Sequence, residues 1–161
     1  MKKKIATNKM IFLLGFALTL LSINGCKKSK ADAPPDVVAT LQNNSWKLTK
    51  FTISPAYFGT TDVLSLWDEC DKDNLYIFKP GNVFIHDEGT TKCDPGYTQQ
   101  STGYWSYDNT TKKLYYRNGP AGYSDEYEWF IKNITSTQFT AENSEEFNGV
   151  KYNYQVTFTK Q

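Results

Sequence analysis

Across 161 residues, 18 basic side chains nearly balance 17 acidic ones, for a formal charge of +1, and 39% of the chain is hydrophobic. That balance excludes a basic footprint of the kind that holds nucleic acid. The apolar content is enough for one domain with its own core, and a single histidine, His86, leaves little for histidine-based metal or catalytic sets.

The first element is a basic stretch, Lys2-Lys3-Lys4 and Lys9, followed by an apolar run from Ile11 to Leu21. A charged n-region, a short h-region and a small residue before the break make a secretory signal over residues 1–25. It closes on Ile23-Asn24-Gly25-Cys26, which resembles a bacterial lipobox. The resemblance implies a diacylglyceryl group on the Cys26 thiol, cleavage before it and acylation of the new amino terminus. An ordinary cleaved signal and an uncleaved membrane helix are the other readings, although the run is shorter than the ~20 apolar residues a span needs. Cleavage removes four lysines and no acid, so the remainder is slightly acidic and has no electrostatic reason to sit on a membrane. The lipid would do the anchoring, and two or three acyl chains hold where one does so only marginally. Residues 26–36 then read as the lipidated cysteine and a flexible tether, and 37–161 as the domain.

Asp36 is placed to cap a short helix over Val37 to Leu41, which Asn43-Asn44 breaks. From Ser45 to Thr52 the pattern turns to period two, with Trp46, Leu48 and Lys50 on one face. A long connection from Ile53 to Asp73 follows, in which Asp62 can cap a turn or two of helix over Val63 to Trp67; connections of this length are usually functional or lid-like. Leu75–Lys79 and Asn82–Asp87 read as a hairpin through Pro80-Gly81, and Thr102–Tyr107 and Lys113–Arg117 as a second. Glu126–Ile134 pairs with Gln138–Glu142, and Lys151–Lys160 closes the chain with Tyr152, Tyr154, Val156 and Phe158 on one face. Eight antiparallel strands joined mainly by tight turns predict an all-β, up-and-down barrel with a short N-terminal helix. An open β-sandwich is the alternative topology.

Beyond Cys26, the chain holds Cys70 and Cys93. An even pair in an oxidising compartment points to a structural disulfide, because a redox or metal pair needs a CxxC spacing or several histidines. Closing that loop would stabilise the fold by roughly 3 kcal/mol.

Leu41 followed by Trp46, Cys70-Asp71-Lys72-Asp73-Asn74 leading into Tyr76-Ile77-Phe78, Gly81-Asn82-Val83-Phe84, Gly89-Thr90-Thr91-Lys92-Cys93 and Gly103-Tyr104-Trp105 occur in that order. Together they resemble the lipocalin-like domain lipoproteins of Bacteroidetes, over residues 38 to 160. Asn44-Ser45-Trp46 stands where transport lipocalins have Gly-x-Trp. The resemblance implies a fold and an envelope location, lipid-anchored at the outer membrane, rather than a ligand. Acidic residues associated with surface export in such lipoproteins are missing after Cys26, so a periplasm-facing domain is expected.

No catalytic set is legible, and neither a cofactor nor a metal is expected. His86, beside Asp87-Glu88, reads as a solvated strand-end residue, and Asp125, Glu126 and Glu128 as surface charge. Asp68, Glu69, Asp71 and Asp73 miss the EF-hand spacing and read as loop solvation. The aromatic excess is less easily dismissed: Tyr97, Tyr104, Tyr107, Tyr115, Tyr116 and Tyr123 are candidates to edge one opening, since tyrosine is apolar at one end and hydrogen-bonds at the other. Trp46, Trp67, Phe78, Phe84 and Trp105 are the candidate wall residues, as core or as pocket. The expectation is a non-enzymatic, monomeric binding module for a small apolar or amphipathic ligand, with residues 53–67 as a partial lid. The alternative is a filled barrel that binds an envelope protein or glycan through its aromatic loops.

Overall fold

A computed structural model describes residues 35–120, 122 and 125–161; the signal, Cys26 and the tether before residue 35 lie outside the described residues, as does Tyr123. One short helix, α1 (Val37–Gln42), leads into nine strands: β1 (Ser45–Tyr57), β2 (Thr60–Asp62), β3 (Leu75–Lys79), β4 (Val83–Asp87), β5 (Gln100–Asp108), β6 (Lys113–Arg117), β7 (Glu126–Ile134), β8 (Gln138–Phe147) and β9 (Val150–Lys160). All pair antiparallel. From β3 to β9 each strand adds to its predecessor, β3 also pairs with β1, and β9 returns to β1, so eight strands close a barrel. The ninth, β2, is a short flap folded back on the far half of β1.

Asp36 caps α1 as expected, its Oδ1 accepting from Ala39 N at 3.2 Å. Leu41 of this helix is fully buried, and its carbonyl accepts from Trp46 Nε1 at 3.0 Å, which ties the helix to the start of β1. Trp46 meets Phe139 edge-on at 4.9 Å, and Phe139 stacks on Phe158 at 4.6 Å. Phe78, Phe84, Leu114 and Val156 complete a dry aromatic layer at this end. The helix side of the barrel is therefore closed and filled.

Three local readings are corrected. The strict alternation that put Lys50 on the face of Trp46 and Leu48 fails at a bulge, where Leu48 faces Phe158 but Lys50 faces Thr157. The extra residue turns the exposed Lys50 outward and brings Phe51 onto the core. Second, β1 runs five residues past Thr52, through a cis Ser54–Pro55 bond, to Tyr57. Pro55 lies beyond the last β1–β9 pair and inside the irregularity between β1 and β2, where its missing N–H removes no ladder bond. What remains of the long connection is the β2 flap and one 3-10 turn (Leu64–Leu66), with Asp62 Oδ1 accepting from Ser65 N at 3.3 Å. Third, β8 continues from Glu142 to Phe147 and meets β9 across Asn148-Gly149, both at positive φ, the turn that right-twisted strands prefer.

Cys70 and Cys93 are disulfide-bonded, with Cα atoms 5.2 Å apart. The bond ties the β2–β3 connection to the β4–β5 loop at the end of the barrel opposite α1. Replacing Trp46 with alanine should cost about 3–5 kcal/mol in chemical denaturation, because it removes a filled volume and strands the Leu41 carbonyl. A loss under about 1 kcal/mol would mean that this layer does not carry the fold.

Candidate functional site

Along each strand the pleat sends alternate side chains inward, and above the aromatic layer those residues change character. Tyr76 of β3, His86 of β4, Tyr116 of β6, Tyr127 of β7 and Asn143 and Glu145 of β8 follow the buried Phe78, Phe84, Leu114, Trp129 and Ala141 on the same inward faces. They do not fill the barrel. A cavity of about 460 Å³ opens over Tyr76, Phe84, His86, Tyr116 and Tyr127, bordered by Trp67, Asp68, Asp71 and Asn74 from the β2–β3 connection and by Asn118 and Asp125 from the β6–β7 loop. A second hollow of about 230 Å³ adjoins it, sharing Trp67, Tyr76, Tyr116 and Tyr127 and reaching Phe51, Trp129, Glu145 and Tyr154.

The floor is an aromatic network. Tyr76 lies edge-on to Tyr116 at 5.9 Å, to Phe158 at 5.1 Å and to His86 at 5.5 Å, while Tyr116 stacks on Tyr127 at 5.1 Å. Burial holds both the Tyr76 and Tyr116 phenols well above the usual tyrosine range, so both are neutral hydroxyls in water near pH 7. Each ring is more than nine-tenths buried, and both line the cavity. Trp129 Nε1, in the wall of the adjoining hollow, is buried without a hydrogen bond of ordinary geometry, and lies close enough to the Tyr116 oxygen to favour its ionised form slightly. Polar atoms left this way at a cavity wall are groups that water or a ligand satisfies.

The rim is held by hydrogen bonds. Asn74, buried, turns its amide nitrogen to the Cys70 and Glu88 carbonyls at 3.2 Å each. Asp73 Oδ2 accepts from Thr90 N, Thr90 Oγ1 and Thr91 N, and Asp87 accepts from Gly89 N, Gln99 and Gln100. These bonds hold both carboxylates below their ordinary range against the opposing effect of burial. At Gly89, φ is +69° and a Cβ would lie 2.4 Å from the Asp73 carbonyl oxygen, so the loop closes there only on glycine.

Of the five expected wall residues, Trp67 and Phe84 border the cavity, whereas Trp46, Phe78 and Trp105 sit in the packed layer. Among the tyrosines, Tyr116 reaches the opening. Tyr104 and Tyr115 lie against each other at 6.1 Å on the outer face, Tyr97 is exposed in the β4–β5 loop, and Tyr107 packs against the core. His86 differs from its expectation as a solvated residue, because Phe84 and His86 share the inward face. The acidic run also divides. Glu69 pairs with Lys72 and Asp73 organises the loop, while Asp68 and Asp71 face the cavity. Glu128 is a surface charge paired with Lys113 at 2.8 Å, but Asp125 joins the rim. An Asp71 oxygen lies within 4.8 Å of the Cys70 and Cys93 sulfurs, but the sulfurs are bonded to each other and offer no thiolate to a metal. A larger hollow, about 540 Å³, lies along the β1–β8–β9 surface, lined by Thr52, Ser54, Glu142, Ser144, Asn153 and Gln155 among others; it has no comparable convergence of aromatic rings.

Burial moves the His86 pKa below 6.5, outweighing the opposite pull of Glu88, Asp71 and Asp87. The unfolded chain therefore takes up this proton first, and stability should fall as pH drops from about 6.5 towards the lower folded-state midpoint. An NMR titration of the single histidine should give a midpoint under 6.5, and His86→Gln should flatten that part of the stability profile. A midpoint above 6.5 would place the ring in the field of the acids rather than in the cavity wall.

No protein-family model matches the chain, and no curated protein matches it.

Proposed function

We propose that this chain is a lipid-anchored envelope protein whose barrel is a non-enzymatic binding module, holding a small amphipathic ligand in its mouth. The observation that carries this reading is the aromatic cavity itself, with the buried rings of Tyr76 and Tyr116 at its base and the unbonded Trp129 Nε1 in the wall of the adjoining hollow. Small-molecule sites have this composition: apolar walls with a few polar groups that fix orientation. Trp67 and the β2–β3 connection, which the Cys70–Cys93 bond holds, form one side of the opening, as a partial lid would. The lipobox-like ending at Cys26 supports anchoring, the disulfide suits an oxidising compartment, and the barrel is compatible with kinship to the lipocalin-like lipoproteins.

A second reading has its own observation. Phe58, 85% exposed, lies against Tyr57 at 4.3 Å at the β1–β2 tip, and Phe147 is exposed at the β8–β9 tip. These rings suit a contact with an envelope protein or glycan through the outer surface.

Mass spectrometry of the protein purified from its native membranes tests both levels. Under denaturing conditions the amino terminus should begin at Cys26 and carry the mass of a diacylglyceryl group and an acyl chain. Under native conditions a small-molecule adduct should persist, and Tyr76→Ala or Trp67→Ala should lose it. An unprocessed or unacylated terminus would end the anchored reading, and a clean apo mass would favour the outer-surface reading.

A further inference from the structure

We propose that the mouth of the barrel takes an organic cation, an alkyl or aryl ammonium whose head lies among Asp68, Asp71 and Asp125 and whose apolar body rests on Tyr76, Tyr116 and Trp67. This rests on the mouth being a ligand site and names the class of ligand. The chain as a whole is nearly neutral, so an acidic mouth is a local property. No lysine or arginine is among the described residues lining either hollow, whereas Asp68, Asp71 and Asp125 border the larger one and Glu126, Glu128 and Glu145 the smaller. An anionic ligand such as a fatty carboxylate or a phosphate would find no cationic side chain there and would meet these acids.

The negative field reaches the cavity floor. Asp71 acts on both Tyr76 and His86, and Asp125 on Tyr127, each opposing loss of a proton. His86 is neutral above its lowered pKa and contributes no opposing charge near neutral pH. The rings add to this, because tyrosine and tryptophan faces attract ammonium groups through their quadrupoles, most strongly where water is excluded. The Trp129 Nε1 donor, more than nine-tenths buried and unbonded in the wall of the smaller hollow, can take a further polar group of the ligand or a bridging water.

The acids are too dispersed for a bare metal ion. Among the described residues, the only three candidate donors within 4.8 Å of one another are Asp71 and the two disulfide sulfurs. Carboxylates spread round an aromatic floor suit a larger cation with diffuse charge.

Calorimetric titration of the full chain with octylammonium, octanol and octanoate separates charge from chain length. Octylammonium should bind roughly tenfold or more tighter than octanoate, with octanol between them. Asp71→Asn combined with Asp125→Asn should weaken octylammonium roughly tenfold while leaving octanol within about twofold. Asp125→Asn alone should give part of the loss, which guards against misfolding of the double variant beside the disulfide. Octanoate binding as tightly as octylammonium, or an unchanged octylammonium affinity in the variants, would overturn the cation assignment and leave the cavity standing. Failure of all three compounds to bind would overturn the mouth as a site for small amphiphiles, and the cation assignment with it.

Discussion

The pairing of β1 with β9, from Trp46 opposite Lys160 to Ser54 opposite Asn153, removes both free edges of the sheet at once. An eight-stranded ring has room inside for side chains and little more, so its interior is decided by how large each inward residue is at each level. The bulge between Leu48 and Lys50 is what lets β1 serve both ends of that interior. Below it, Trp46 and Leu48 enter the packed layer; above it, Phe51 and Ile53 face inward where Lys50 and Thr52 would otherwise point. Without the bulge, a lysine and a threonine would occupy core positions, and closing the barrel would bury unpaired polar groups.

Two levels of the same barrel therefore do different things. Large rings at the α1 end interlock through edge-on and stacked contacts, with indole N–H groups satisfied by carbonyls: Trp46 to Leu41, and Trp105 to Lys79 at 2.8 Å. At the other end the inward residues carry hydroxyls, amides and carboxylates, and these do not pack to exclusion. The mouth is kept from collapsing by loops that satisfy one another. The disulfide, the Asn74 amide and the Asp73 carboxylate fix the β2–β3 and β4–β5 connections to each other, and the Asp87 carboxylate braces the β4–β5 loop from within. Tied loops above an incompletely filled barrel leave polar groups facing a space.

Much of this was legible from alternation and turn chemistry. The inward face of β9 reads directly from Tyr152, Tyr154, Val156 and Phe158, and the Asp36 cap and the Cys70–Cys93 bond follow from local rules. The far half of β1 was hidden because Pro55 argues against a strand, and because the turn into β2 places Phe58, with no turn propensity of its own, at positive φ. The longer β8 had a readable signal in Asn148-Gly149. The site was harder, for a physical reason: alternation says which side of the sheet a residue faces, not how deep in the barrel it lies. Trp46, Phe78 and Trp105 share inward faces with Tyr76 and His86, and only the stagger of the ring separates core from mouth. His86 was recoverable by counting two residues from Phe84. Asp125 was not, since its place on the rim depends on the path of the β6–β7 loop.

The barrel is packed solid at one end and open at the other, with Tyr76 and Tyr116 lining the open part. A crystal structure of the folded chain at high resolution tests this most directly. Ordered water or ligand atoms should lie about 2.6–3.2 Å from the Tyr76 and Tyr116 hydroxyls, above a dry layer of Trp46, Phe139 and Phe158. Trp67 and its loop folded down on the floor, with both hydroxyls bonded to protein atoms, would contradict it.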